Sequence, residues 1–396
     1  MGVFIISSVL NFLDRNLLSV LAPQLMAEMQ FDRTHYGLLL SAFSLTYAVG
    51  SLICGWALDR WGVSRISSLA VGCWSAASLG AGLITSFSWL VVSRAVLGLA
   101  ESAGVPSVGK LNGLYLKPEE RALGAAANQI GIALASIIAP LAVLPALKFG
   151  WRVPFVLAGL LGFVWIPLWL AVNRKIPPRY ADQEFAPAST TRSHNALSIL
   201  KHRSLLFLLL SNVLWMGGYS LWSGWTTIYL KDVYSLKLSQ TPAYVWAPPF
   251  VSILGGFFGG WLSLRSMRFG TKPVAARRRA VWLSAFCSLI TLLLIVAPNA
   301  TWATVIISLS FFFALAGSVN IYALPIDIFG PQRSGLALGA LTFAYGILQT
   351  GISPVIGWLA DRHLYREVVW LITAPLFLGA WALQGCSESE ASLKSE

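Results

Sequence analysis

Long apolar runs, broken by polar residues or Pro/Gly punctuation, dominate the chain. They lie near 3–27, 35–58, 65–85, 88–112, 120–147 and 152–173 and, after a polar stretch, near 204–230, 241–264, 280–298, 302–326, 334–359 and 367–385. Each is close to the ~20 residues that an α-helix needs to cross a ~30 Å hydrocarbon layer. The pattern therefore predicts an all-α membrane protein of twelve transmembrane helices. The stretch from Arg174 to Arg203 holds Pro177-Pro178, a Ser/Thr run and six cations. It divides the chain into an N-terminal six-helix bundle (1–173), a linker loop (174–203), a C-terminal six-helix bundle (204–386) and a tail (387–396).

Composition agrees with that pattern. Hydrophobic residues are 56 % of the chain and charged ones 11 %, where a soluble domain carries about 25 %. So few charges cannot cover so much apolar surface, and lipid has to do it. The first run continues through Leu25 without a small-residue cleavage site, so it is expected to be a span and not a cleavable signal. The net charge of +12 sits mostly between apolar runs, which speaks for membrane orientation and against a nucleic-acid partner. Cys54, Cys73, Cys287 and Cys386 lack metal-ligand spacing and are expected to be small buried hydrophobes. No catalytic Ser/His/Asp set, metal cluster or phosphate loop is visible, so neither an enzyme nor a cofactor is expected.

The cations also orient the chain. Connections after even-numbered runs carry Arg60, Arg65, Lys117, Arg121, the central loop and the Lys272 to Arg279 cluster, whereas the odd ones carry few. The even connections and both termini are then cytoplasmic, and Arg277-Arg278-Arg279 is expected to be an orientation signal in contact with headgroups. A short motif recurs at run ends: Gly55-Trp56-Ala57-Leu58-Asp59-Arg60, Gly260-Trp261-Leu262-Ser263-Leu264-Arg265 and Gly357-Trp358-Leu359-Ala360-Asp361-Arg362. Such copies at equivalent helix ends suit two pseudo-symmetric halves with inverted repeats nested inside them.

The run Gly55-x-x-x-Asp59-Arg60-x-Gly62-x-x-Arg65 resembles the loop signature of the major facilitator superfamily, and implies its fold. Asp59 at a helix end can accept from a neighbouring helix N-terminus or an arginine, forming a latch that breaks as the halves rock. Gly55, Asp59, Arg60, Gly62 and Arg65 are the expected latch, with plain loop charges as the alternative. Leu264 leaves the second half without an acidic counterpart.

Charges within the runs are costly, at least ~2.5–3.5 kcal/mol each at a membrane centre. Asp14 and Arg15 fall mid-run, as do Arg94 and Glu101; Lys110 lies near a run end and can snorkel. Arg94 and Glu101 are two helical turns apart and share a face, whereas Asp14 and Arg15 point ~100° apart. A structural ion-pair network would explain them, but desolvation makes such networks weak stabilisers. In the functional reading the arginines present forks to an anion, and Asp14 and Glu101 exchange protons. His35, His194, His202 and His363 lie in or beside loops, away from that task.

Asn11-Phe12-Leu13-Asp14-Arg15, Arg94-x-x-x-Gly98-x-x-Glu101 and Gly150-Trp151-Arg152-x-x-Phe155 are similar to the anion:cation symporter family, which includes bacterial sugar-acid and other organic-acid transporters. The resemblance implies proton-coupling roles for Asp14 and Glu101, anion handling by Arg15 and Arg94, and substrate contact by Tyr47. It implies a monomeric, multi-pass bacterial inner-membrane symporter of a small organic anion, a sugar acid or related carboxylate, with protons. Tyr219 and Asn320 are weaker substrate-site candidates, as is Gln129 beside Asn128; interhelical packing is the alternative for the amides. Organophosphate exchange and drug-type efflux remain open, although Ser136 to Ala142 lacks the Gly-Pro motif of drug antiporters.

Overall fold

The computed structural model describes residues 2–115, 131–132, 134–175, 202–329 and 334–386. Among the described residues there is no strand. Helices α1 (Gly2–Met29), α2 (Arg33–Trp61) and α3 (Val63–Leu83) follow one another over short connections. The fourth apolar run is two helices, α4 (Phe87–Glu101) and α5 (Gly104–Tyr115). Pro106 explains the interruption, because it has no N–H to offer the carbonyl of Ser102, and Gly104 is a poor helix former. Helix α6 (Val143–Phe149) follows a 3₁₀ turn at Ala139–Ala142, and α7 (Arg152–Lys175) ends the first part of the chain.

The second part begins with α8 (Arg203–Tyr234), the short α9 (Thr241–Val245) and α10 (Ala247–Arg268). Helix α11 (Pro273–Cys287) runs on as a 3₁₀ segment, Ser288–Val296. Then come α12 (Ala300–Phe329), α13 (Ser334–Asp361) and α14 (Tyr365–Ala382). Nine stretches among the described residues are long and apolar enough to cross a membrane.

Helix α7 shows how the apolar excess is disposed. Ala158, Gly162, Trp165 and Trp169 form its buried face. Leu157, Leu160, Leu161 and Val164 form a second stripe at the same helical spacing, all exposed. A helix apolar on both faces, with one turned outward, is suited to protein on one side and lipid on the other.

The most extensive helix contact joins α2 to α13, one from each part of the chain. Small residues permit it. A Cβ on Gly37 would lie 2.5 Å from the Ser353 carbonyl oxygen, and one on Gly357 would lie 2.3 Å from that of Arg33. Where the start of α2 meets the end of α13, the Asp361 carboxylate accepts from the backbone N–H of Arg33 and of Thr34, both at 2.9 Å, and from the Thr34 hydroxyl at 2.7 Å. A carboxylate from another helix thus caps the positive end of α2. Arg33 Nε donates to Asp232 of α8 at 2.6 Å, and the Tyr365 hydroxyl donates to the same oxygen. One turn deeper, the buried Tyr36 hydroxyl donates to the Gly224 carbonyl at 2.7 Å, and its ring meets Trp225 edge-on. These contacts close one end of the molecule.

Several sequence expectations change here. Arg277 is no free headgroup contact: its Nε donates to Asp327 at 3.0 Å and its Nη1 to Ser263 at 3.1 Å, tying α10, α11 and α12 together. Lys110 does more than snorkel, since its Nζ donates to the Leu58 carbonyl at 2.7 Å near the end of α2. Only Cys386 of the four cysteines is buried; Cys73 is exposed. Within the expected latch, Gly62 has φ +80° and donates to the Leu58 carbonyl, the left-handed geometry that glycine takes readily. Arg60 and Arg65 are exposed, and the side-chain environments of Gly55 and Asp59 lie outside the described residues.

Candidate functional site

Asp14 and Arg15 diverge as the helical period requires. Asp14 is buried against α3, where the Ser78 hydroxyl donates to its Oδ1 at 2.7 Å; its Oδ2 has no protein hydrogen-bond partner. Arg15 turns the other way. Its Nε and Nη2 donate to Glu101 Oε2 at 3.2 and 3.0 Å. Its guanidinium lies 4.9, 4.9 and 4.7 Å from the ring centres of Phe12, Phe43 and Tyr47. Such cation–π contacts contribute ~0.5–2 kcal/mol each, more when desolvated, so the rings and Glu101 together fix the fork in place.

Arg94 and Glu101 lie two turns apart on α4, and both are 1 % exposed. The Arg94 guanidinium is 5.4 Å from the Phe155 ring centre, and its Nε and Nη2 lack protein partners, as does Glu101 Oε1. No ion pair within 4 Å joins Arg94 to Asp14 among the described residues. A buried polar atom without a partner costs ~1–3 kcal/mol, more when charged. These side chains therefore keep capacity for something besides one another.

A cavity of about 280 Å³ opens beside the arginines. Arg15, Arg94 and Tyr47 line its first-part wall, while Tyr219, Tyr345 and Gln349 line the opposite one. The volume is near the lower end of ligand pockets, ~300–1,000 Å³. Asp14 and Glu101 do not line it; they stand behind the guanidiniums. Opposite the cations, Tyr219 on α8 packs edge-on against Tyr345 of α13 and Phe311 of α12, at 5.9 and 5.2 Å between ring centres. One wall thus presents positive charge and the other presents hydroxyl and amide groups, an arrangement suited to a hydroxylated organic anion.

Tyr47 and Tyr219 are placed at the cavity. Asn320 is not. It is fully buried, donates to the carbonyls of Gly259 and Ala316 at 3.0 and 2.9 Å, and accepts from Arg277 at 3.4 Å. Its amide is used in packing α10 against α12, away from the cavity. Gln129 and Asn128 lie outside the described residues. Sequence reasoning missed Phe12, Phe43, Tyr345 and Gln349. The last pair carried a signal, two polar side chains one turn apart inside an apolar run; nothing in the pattern marks an aromatic ring as facing a cation.

Residues 4–350 match the family described as Major Facilitator Superfamily. The chain belongs to the Major Facilitator Superfamily. By family it is a transporter and not an enzyme. A hexuronate transporter of Escherichia coli (strain K12) is 25 % identical over 389 residues, covering 95 % of this chain and 90 % of that protein. A probable sulfoacetate transporter of Cupriavidus necator is 28 % identical over 400 residues, covering 97 % and 91 %. Among solved structures, a bacterial homolog of the human lysosomal transporter Spinster, inward-facing and unoccupied, superposes with a TM-score of 0.78 at 17 % identity, covering 97 % of this chain and 96 % of the other. That likeness shows the superfamily fold.

Proposed function

We propose that this chain is a proton-coupled symporter of a small organic anion, a sugar acid or related carboxylate, working by alternating access. The observation that carries the reading is the position of Arg15, which borders the cavity while its fork is engaged by the buried Glu101. An anion entering the cavity competes with Glu101 for that fork, and Arg94, which also lines the cavity, attracts the anion's other oxygen. A carboxylate that loses its cation in a water-poor site is more stable protonated. Glu101 then takes a proton as the anion binds, so the two move in the same direction. Asp14, held by Ser78 beside α3, is the second proton carrier. The relatives support the substrate class, since the two described above are named for a hexuronate and for sulfoacetate, both organic anions.

The membrane arrangement belongs to the same proposal: twelve spans in two halves, 1–173 and 204–386, in the inner membrane of a bacterium, with both termini cytoplasmic. The end closed by Arg33, Asp232 and Asp361 bears the odd-numbered connections, which the cation distribution assigns to the outside. The cavity is then reached from the cytoplasm. Rocking would break the Asp361 cap at one face as the Asp59 latch forms at the other.

Proteoliposome uptake of labelled D-glucuronate tests the function. Under an inward proton gradient the substrate accumulates above equilibrium, and a protonophore collapses the gain. Uptake that is indifferent to pH difference and requires an anion on the far side would instead establish exchange.

A further inference from the structure

We propose that protons leave Asp14 through a polar cavity inside the first part of the chain, separate from the cavity that takes the anion. The inference rests on the symport reading above and adds the route.

Asp14 needs an aqueous connection. The central cavity is a poor one, because both cations that line it, Arg15 and Arg94, are placed to repel a hydronium. A second cavity, of about 20 Å³, lies within the first-part helices. At roughly 10–15 Å³ per water it accommodates one or two molecules. Its polar lining comes from Ser7, Ser8, Asn11, Ser67, Trp74 and Ser107, and no charged side chain borders it. Asn11 is 5 % exposed and its Nδ2 has no protein partner; the Trp74 Nε1 is likewise unpartnered and buried. Two buried donors without acceptors, at a neutral and hydroxyl-rich site, are what a bound water satisfies.

Asp14 lines neither cavity, but helix directions bring two lining residues of this one to within a turn of Asp14 and its donor. Asn11 is one turn before Asp14 on α1, ~4.5 Å along the axis. Trp74 is one turn before Ser78, the Asp14 donor, on α3. The other lining groups continue the same way: Ser7 and Ser8 lie nearer the start of α1, Ser67 nearer the start of α3, and Ser107 beyond the break after Glu101. Ser67 donates to Ser107 at 3.1 Å, so hydroxyls bridge α3 and α5 along this line. The cavity thus leads away from the closed end formed by Arg33 and Asp361. In operation the Asp14 carboxyl gives its proton to a water held by Asn11, leaving the carboxylate. The resulting hydronium passes the proton along the hydroxyls of Ser67 and Ser107 toward the face opposite the closed end.

The test compares Asn11→Leu, which fills the site with an apolar side chain of similar size, with Asn11→Ser, which keeps a hydroxyl and leaves room for water. Purified full-length variants are assayed in proteoliposomes with D-glucuronate and an entrapped pH dye. Asn11→Leu is expected to slow glucuronate-driven proton entry about tenfold or more, while glucuronate exchange and the ligand-induced rise in melting temperature stay near wild type. Asn11→Ser is expected to keep proton entry. Proton entry at the wild-type rate in Asn11→Leu overturns the route. Parallel loss of exchange and proton entry in both variants also overturns it, since that assigns Asn11 a structural role. Absence of glucuronate-driven proton entry in the wild type is a separate result: it removes the symport reading itself, and the route with it.

Discussion

Arg15 has rings on three sides and a carboxylate on the fourth, so it can change partner without losing its position. Arg94 is held by fewer contacts and keeps two unpartnered nitrogens. In the proposed mechanism Arg15 is the fork shared with a proton-binding acid, and Arg94 is the second cation lining the anion's cavity. Replacing Asp14 by Asn or Glu101 by Gln should abolish proton-driven accumulation of D-glucuronate while leaving counterflow at least partly intact; accumulation that persists in both variants contradicts the coupling assignment. Arg94→Lys replaces a planar fork by a point charge, and should weaken binding by about ten- to a hundredfold, since a charged hydrogen bond contributes ~1.5–3 kcal/mol. Titration calorimetry with D-glucuronate reads this directly. Tyr345→Phe removes one neutral hydroxyl and should cost only ~0.5–1.5 kcal/mol of affinity. The four charges within apolar runs were legible in the sequence because charge inside such a run is costly wherever it occurs. Tyr345 and Gln349 were not, because uncharged polar groups at such positions more often serve packing, as Asn320 in fact does.

Among the elements, two interruptions of regular packing bear on the proposed mechanism. The fourth apolar run breaks immediately after Glu101, the acid proposed to couple proton and anion. The Gly104 and Pro106 signals for that break are in the sequence. The other is the junction of α2 with α13. Its Asp361 belongs to a motif copy that the sequence displays, yet its partners Arg33 and Thr34 are more than 300 positions away, so the repeat was visible and the contact was not. Asp361→Asn removes the charge and one acceptor oxygen facing Thr34, and should weaken the closed end by about 1–3 kcal/mol. Spin labels at the exposed positions Thr85 and Arg366 should then show a larger population at long separation than in the unmodified protein. An unchanged distance distribution would mean that the cap contributes nothing to closure.

At the scale of the whole molecule, the chain sets a cationic wall against a hydroxyl-bearing wall and seals the space between them at one end. The acids do not line the cavity, so that in the proposed mechanism anion and proton meet through a shared arginine and not through direct contact. Most helix positions among the described residues could be read from apolar runs alone, because every crossing must be long, apolar and helical. The cavity could not, because its walls come from helices distant in sequence. The central claim is that anion entry carries protons inward through this arrangement. The most direct measurement loads proteoliposomes with a pH dye at equal internal and external pH, adds D-glucuronate outside, and follows lumenal pH together with labelled substrate. The account predicts lumenal acidification that tracks glucuronate entry and disappears in Glu101→Gln. Glucuronate entry with no change in lumenal pH would contradict it.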